Sequence, residues 1–460
     1  MASKSKRARM APVRNLSKTF LYWAIAVFLV KLLIILNIEG GNIEILGRSF
    51  FLNGIWLGAD GENYITGFDA LSREGIYSKA GILNYWPAGY PLFILFLSMF
   101  GKSWVLVNLA IVQSAIFSFA SYFFAEQVSR TRLKNFAYLI LMMIILNPTL
   151  SLSSLAVGYE SLAASGIMLV VGLIIKDFME KNNQKFVKYL IISSVVIGFM
   201  AFIQPRLIAT GLLINLLWIL SRKNFKIAVL LIAMTLVISI FFPASLAYRN
   251  FKAVGLPVVS TNLGVTMNIG AGDKSTGGYT SKAEGVPCIK TGDAAEQDNQ
   301  LVKCVISWYL SNPNKGIQLF YNKSIYFWSP WFGPLANGTM ARNPWLKISP
   351  LKNIASTTQE GSDLIYGGFG KLVSWIWLLS GITLLLSGFK FLWQKKSLER
   401  LIASVAMVVI LSNWLVSLIS IGDHRFRIPI MGMTLFLQAI GLKVLFKGKK
   451  PLMVEGLALR

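Results

Sequence analysis

Histidine is almost missing from this chain: His424 is the only one, which excludes a metal centre built from several imidazoles. Cysteine is nearly as rare, with Cys288 and Cys304 alone. Charge is scarce too, at 14% of residues against 55% hydrophobic and a mean hydropathy of +0.59. That balance excludes a soluble globular domain. Acidic residues number 20 against 45 basic ones, a formal net charge of +25, yet no soluble basic domain exists to bind nucleic acid. The basic excess is surface charge facing anionic lipid. No internal repeat is evident, which speaks against a transporter built from inverted halves.

What is present is a succession of apolar runs. A spanning helix needs about 20 apolar residues. About ten runs qualify on that rule: 18–37, 104–126, 135–153, 158–176, 187–204, 206–221, 225–244, 370–391, 401–420 and 428–446. The expected fold class is therefore an all-α polytopic membrane protein with juxtamembrane helices and two long exoplasmic loops. The first run is too long for a cleavable signal and reads as an anchor. Basic clusters at Lys4 to Arg14, Arg130 to Lys134, Lys176 to Lys188, Arg222 to Lys226, Lys390 to Arg400 and Lys443 to Lys450 fall at alternate boundaries. They predict both termini on the cytoplasmic side of a cell (inner) membrane. The apolar piece Pro91 to Phe100 would invert every later loop if it crossed, so it reads as a short juxtamembrane helix.

This topology divides the chain into five parts. They are a basic tail 1–17, an N-terminal transmembrane module 18–244 that includes a first exoplasmic loop 38–103, a large exoplasmic loop 245–369, C-terminal helices 370–446, and a tail 447–460. Of the acidic residues, the larger share falls on the outer side, so the working face is outside. Long loops are usually functional. The larger one carries helical patterns at 293–311 and 314–328, broken at Asn312-Pro313. Both cysteines lie in it, and an oxidising compartment favours a disulfide between them.

Asp60 is the most informative single residue. It opens GADGENYITGFDALSREGIYS, where Glu62 and Asp69 also crowd at the membrane rim, and NYWPAGYPLF follows. Carboxylates gathered at such a rim serve chemistry or ion handling. The competing reading is a helix-capping Asp in an Asp-Gly turn. Glu160, in VGYESL, is a further acidic candidate or a structural partner for an Arg. Arg206, Arg249 and Arg425 sit at outer helix ends and suit an anionic phosphate through their planar fork of donors, against a reading as interface snorkelling. Tyr64, Tyr85 and Trp86 could stack on sugar faces. No motif fixes a cofactor, and a divalent metal held by carboxylates or by a mixed set stays open.

Asp60-x-x-x-Tyr64, TGFDALSREGIYS and NYWPAGYPLFILFLSMFG resemble the start of the C-type-fold (GT-C) membrane glycosyltransferases. The chain is similar to bacterial members of the dolichyl-phosphate-mannose protein mannosyltransferase and aminoarabinose transferase group, glycosyltransferase family 39-like. Tyr159-Glu160-Ser161-Leu162, Gln204-Pro205-Arg206, KSIYFWSP and GDHRFRIPI carry the likeness onward. Gly61 follows Asp60 where many relatives have Glu, and Tyr85-Trp86-Pro87 stands where aminoarabinose transferases have Glu-Lys-Pro. The resemblance implies an inverting enzyme that moves a sugar from a polyprenyl-phosphate donor to an exoplasmic acceptor, whether lipid-linked glycan, lipopolysaccharide or protein. It implies Asp60 as catalytic base, the Arg residues on the lipid phosphate, and membrane lipids around an apolar groove. The alternatives are a lipid-linked glycan flippase or other transporter, and an O-antigen ligase or polymerase leaning on Arg and His in later loops.

Overall fold

The computed structural model describes residues 13–37, 42–45, 47–51, 54–57, 60–180, 182–222, 224–279, 285–330, 335, 367–395 and 398–446. Among these the chain is almost wholly helical: an all-α polytopic membrane protein with one small hairpin. Helix α1 (Val13–Asn37) leads into the hairpin of β1 (Asn42–Ile45) and β2 (Arg48–Phe51), paired antiparallel with Asn42 opposite Phe51. Next come α2 (Gly61–Glu74), the single turn α3 (Ile82–Tyr85) and the apolar α4 (Gly89–Leu97). Helices α5 (Val105–Ser129), α6 (Lys134–Ile145), α7 (Pro148–Leu152), α8 (Glu160–Glu180), α9 (Asn183–Ile203), α10 (Leu207–Arg222) and α11 (Phe225–Val254) complete the first bundle. The short α12 (Leu263–Ile269), α13 (Ala294–Ser311) and α14 (Pro313–Trp328) follow, and then α15 (Gly368–Trp393), α16 (Leu398–Ile419) and α17 (Met431–Phe446).

Among the described residues eight helices are long and apolar enough to cross a membrane, or nine if one bent pair counts as a span. Two of the expected spans differ from a simple crossing. The run 135–153 is α6 and α7 bent by 59°, because Pro148 cannot donate into the helix and Asn147 caps a new one through Leu150 N at 2.9 Å. The run 206–221 is α10, 16 residues long; at 1.5 Å per residue that gives about 24 Å, short of the ~30 Å hydrocarbon core. The piece Pro91 to Phe100 lies in a short apolar helix that extends through a 3₁₀ turn.

The core runs through α5, α8, α9 and α17, whose buried faces carry Phe117, Phe124, Ile167, Ile197 and Phe436. Helix α5 packs on α1 and α8, α9 on α8 and α11, and α17 on α15 and α6. The two helical patterns of the large loop are α13 and α14. Asp293 and Glu296 form a reciprocal capping box at the start of α13, and Pro313 opens α14. Cys288 and Cys304 are joined in a disulfide with Cα atoms 6.0 Å apart, fastening the segment before α13 to that helix.

Candidate active site

Two backbone segments a hundred residues apart are laid side by side at one end of the bundle. Trp56 N donates to Leu155 O at 3.0 Å, and Val157 N donates to Trp56 O at 2.7 Å. A buried polar relay fixes the second segment. Gly158 N donates to the Tyr90 hydroxyl at 2.8 Å, Tyr90 donates to Gln113 Oε1 at 3.0 Å, and Gln113 Nε2 donates to Ser154 O and Ala156 O. The chain then enters α2 at Asp60 and α8 at Glu160, so both carboxylates emerge together.

Asp60 occupies the N-cap position of α2, but its side chain makes no capping hydrogen bond. Its carboxylate instead accepts from Arg425 Nη2 at 2.6 Å, while Arg425 Nε lies 3.2 Å from Glu160 Oε1. One guanidinium thus bridges two carboxylates that are 365 and 265 positions away in sequence. Arg425 sits on a 3₁₀ turn (His424–Ile430) whose start is set by Asp423, the acceptor for Arg425 N at 2.8 Å. Beside it, Arg206 follows the Gln204-Pro205 break between α9 and α10. Its Nη2 donates to the Tyr159 hydroxyl at 2.6 Å, and its guanidinium lies 4.0 Å over the Phe426 ring. Arg206 Nε is buried with no partner among the described residues. Arg206 therefore brings a positive charge to this wall that no described carboxylate pairs.

These groups line a cavity of about 490 Å³, within the range of small-molecule sites. Asp60, Arg206, Asp423, Arg425 and Phe426 form one wall, and Tyr85 and Trp86 stand at its side. Ser260, Asn262 and Thr266 of the α12 segment and Asp298 also line it, and Tyr279 follows Gly278, which is bridged to Gly422 beside Asp423. Burial raises the Asp298 carboxyl above the ordinary carboxylate value, against the pull of backbone N–H bonds from Gly264 and Val265. Burial, then the charges of Asp298 and Asp60, raise the Tyr85 phenol, so it stays a neutral donor.

The sequence candidates sort by where their side chains go. Asp60, Arg206, Arg425, Tyr85 and Trp86 line the cavity, and Glu160 reaches it through Arg425. Tyr64 is buried behind Trp86, with ring centroids 6.2 Å apart, and forms a backing rather than a sugar-facing surface. Glu62 is exposed on α2 and is not part of the lining. Asp69 turns the other way. It is buried between Arg48 Nε at 3.1 Å and Arg73 Nε at 2.9 Å, and pins the hairpin to α2. Arg249, expected at the phosphate, is buried elsewhere: it donates to Ile76 O at 2.9 Å, to Asn84 Oδ1, to Asn250 Oδ1 and to Ser78 O. Those acceptors fix the turn between α2 and α3, so Arg249 shapes the cavity from behind.

Sequence reading missed Asp298, Tyr279 and Asp423, because nothing in their local patterns separates them from ordinary loop and capping residues. Among the described residues no group of three or more His, Cys, Asp or Glu could hold a metal ion. The cation between Asp60 and Glu160 is Arg425.

No family model matches the chain, and no curated protein matches it by sequence. Among solved structures it is similar to the archaeal oligosaccharyltransferase AglB from Archaeoglobus fulgidus, in complex with an inhibitory peptide and a dolichol-phosphate. The likeness is at 12% identity and a TM-score of 0.47, over 93% of this chain and 50% of that one. This chain thus spans about half the length of that protein.

Proposed function

We propose that this chain is an inverting membrane glycosyltransferase of the C-type fold, moving a sugar from a polyprenyl-phosphate donor to a hydroxyl acceptor on the exoplasmic side. The sequence resemblance to the family 39-like group motivates the reading. One observation supports it most: a cavity with a carboxylate and a cation that no described carboxylate pairs on one wall, and aromatic rings beside them. Asp60 accepts the proton of the acceptor hydroxyl as its oxygen attacks C1. The bond from C1 to the phosphate oxygen breaks, and the electron pair leaves with the lipid phosphate. Arg206 and Arg425 meet the negative charge that grows there. Arg425 also aims Asp60 through the 2.6 Å contact from its Nη2. Tyr85 and Trp86 offer ring faces to the sugar. The basic clusters then put both termini in the cytoplasm and the cavity outside the cell (inner) membrane.

The test is Asp60→Asn in purified enzyme supplied with a polyprenyl-phosphate sugar. Turnover is expected to fall about 10²-fold or more, the effect of a lost general base, while the protein still folds with a stability loss of about 1–3 kcal/mol from the weakened Arg425 contact. Retention of more than about a tenth of turnover would remove Asp60 from the base role. Mass spectrometry of co-purified lipid checks the donor class independently.

A further inference from the structure

Arg427 points away from the cavity that Arg425 lines. Its Nη1 donates to Trp328 O and its Nη2 to Ser329 O at 3.0 Å, and no described carboxylate pairs with it. It opens onto a small cleft of about 100 Å³ between α7, α15 and α17, where Asn147, Thr149, Thr434 and Gln438 are the other polar neighbours among the described residues. That cleft shares Trp328, Leu378 and Ile382 with a second, larger hollow of about 430 Å³ between α14, α15 and α16. The larger hollow is lined almost wholly by carbon.

The two hollows have a common orientation. Trp328, Trp375 and Trp414 crowd at the end nearest Arg427, with Trp328 and Trp414 ring centroids 6.1 Å apart. From there α15 descends through Leu378, Ile382 and Leu386, and the antiparallel α16 descends through Leu411 to Met407. Eight residues of helix make a trough about 12 Å long. Tryptophans collect at the headgroup level of a bilayer, and hydrocarbon lies below it. A cation at the tryptophan level over an apolar trough has the charge and polarity pattern of one lipid.

We propose that this cleft binds a single anionic phospholipid, its phosphate against Arg427 and one chain in the trough along α15 and α16. The site is separate from the catalytic cavity and stands whether or not the glycosyl-transfer reading holds. Arg427 supplies the preference for negative charge, and the trough supplies affinity without selectivity.

The full chain in nanodiscs of phosphatidylcholine tests this, doped in parallel with phosphatidylglycerol or phosphatidylcholine carrying a diazirine in one chain. After photolysis, peptides spanning 375–386 and 407–414 are expected to carry about fivefold more label from phosphatidylglycerol, the ratio for one favourable charge near the surface. Arg427→Gln should bring the two lipids level, and Arg427→Lys should keep the excess. Ile382→Trp fills the trough without touching the cation, and should abolish labelling by both lipids, which keeps the test open if Arg427→Gln does not fold. Equal labelling by both lipids in the unaltered protein, an excess that survives Arg427→Gln, or a trough with no label at all would each overturn the site.

Discussion

Arg425 holds Asp60 and Glu160 at 2.6 and 3.2 Å, and all three are largely buried. Arg425→Met therefore does more than remove a contact. It leaves two carboxylates facing each other in a region of low polarity, and breaking a buried ion pair from one side costs about 3–5 kcal/mol. The loss should shrink when Glu160→Gln is added, because one of the stranded charges is gone. Glu160→Gln alone leaves Arg425 paired with Asp60 and should cost less, about 1–3 kcal/mol, the range for one buried unsatisfied polar group. The coupling between the two changes is thus expected to be favourable by about 1–3 kcal/mol, the ordinary size for residues in one network. Reversible unfolding in mild detergent, followed for the parent, both single variants and the double variant, gives the cycle. Additive losses would refute the shared guanidinium, as would Arg425→Met with unchanged stability.

Three further expectations follow from the geometry. Arg206→Ala should raise the apparent KM for a polyprenyl-phosphate donor or lower kcat with little change in acceptor KM, and Arg206→Lys should rescue only in part, since the planar fork is lost; steady-state kinetics decide it. Opening the disulfide through Cys288→Ser with Cys304→Ser removes a closed loop of 16 residues, worth about 3 kcal/mol to this segment, and should appear as faster amide exchange in 286–305. Lys323 Nζ is buried on Tyr309, Leu418 O and Ser420 O, and burial pushes its ammonium down to about 7. The unfolded chain then binds the extra proton between pH 7 and about 10.4. Its contribution to stability should rise with pH across that window and be flat below it, and Lys323→Met should remove that rise in unfolding temperature.

The helices were largely legible because hydrophobic length is a local property. Where reading by length differs from the structure, a local cause explains it: Asn147-Pro148 bends one run, and 16 residues make α10 too short. The crowding of Asp60, Tyr85 and Trp86 was legible too, since 27 positions of loop and short helix keep them together. The rest depended on partners far away. Asp69 and Asp60 are both acids of the same stretch, but Arg48 claims the first from the hairpin and Arg425 the second from across the chain. Arg249 looked like Arg206 in sequence, each a base at a helix end. Only the carbonyls of Ile76 and Ser78, brought in by packing, distinguish a scaffold role from a cavity role. A polar group's neighbours are set by the fold, and a single sequence does not carry them.

The ladder between Trp56 and the 155–157 segment makes the acid-bearing wall a fixed jaw. Asp60 cannot move away from Glu160 without breaking main-chain hydrogen bonds, and the relay through Tyr90 and Gln113 anchors that segment to α5. With that wall fixed, the fit of a bound molecule depends on the rest of the cavity lining. The α12 segment is short and attached chiefly to α13, with Asp298 receiving Gly264 N at 2.7 Å as one fastening. Change at that segment alters which molecule fits while Asp60, Glu160 and Arg425 keep their spacing. Variation in Asn262, Thr266 or Asp298 is therefore expected to change which molecule the cavity admits while Asp60, Glu160 and Arg425 stay in place.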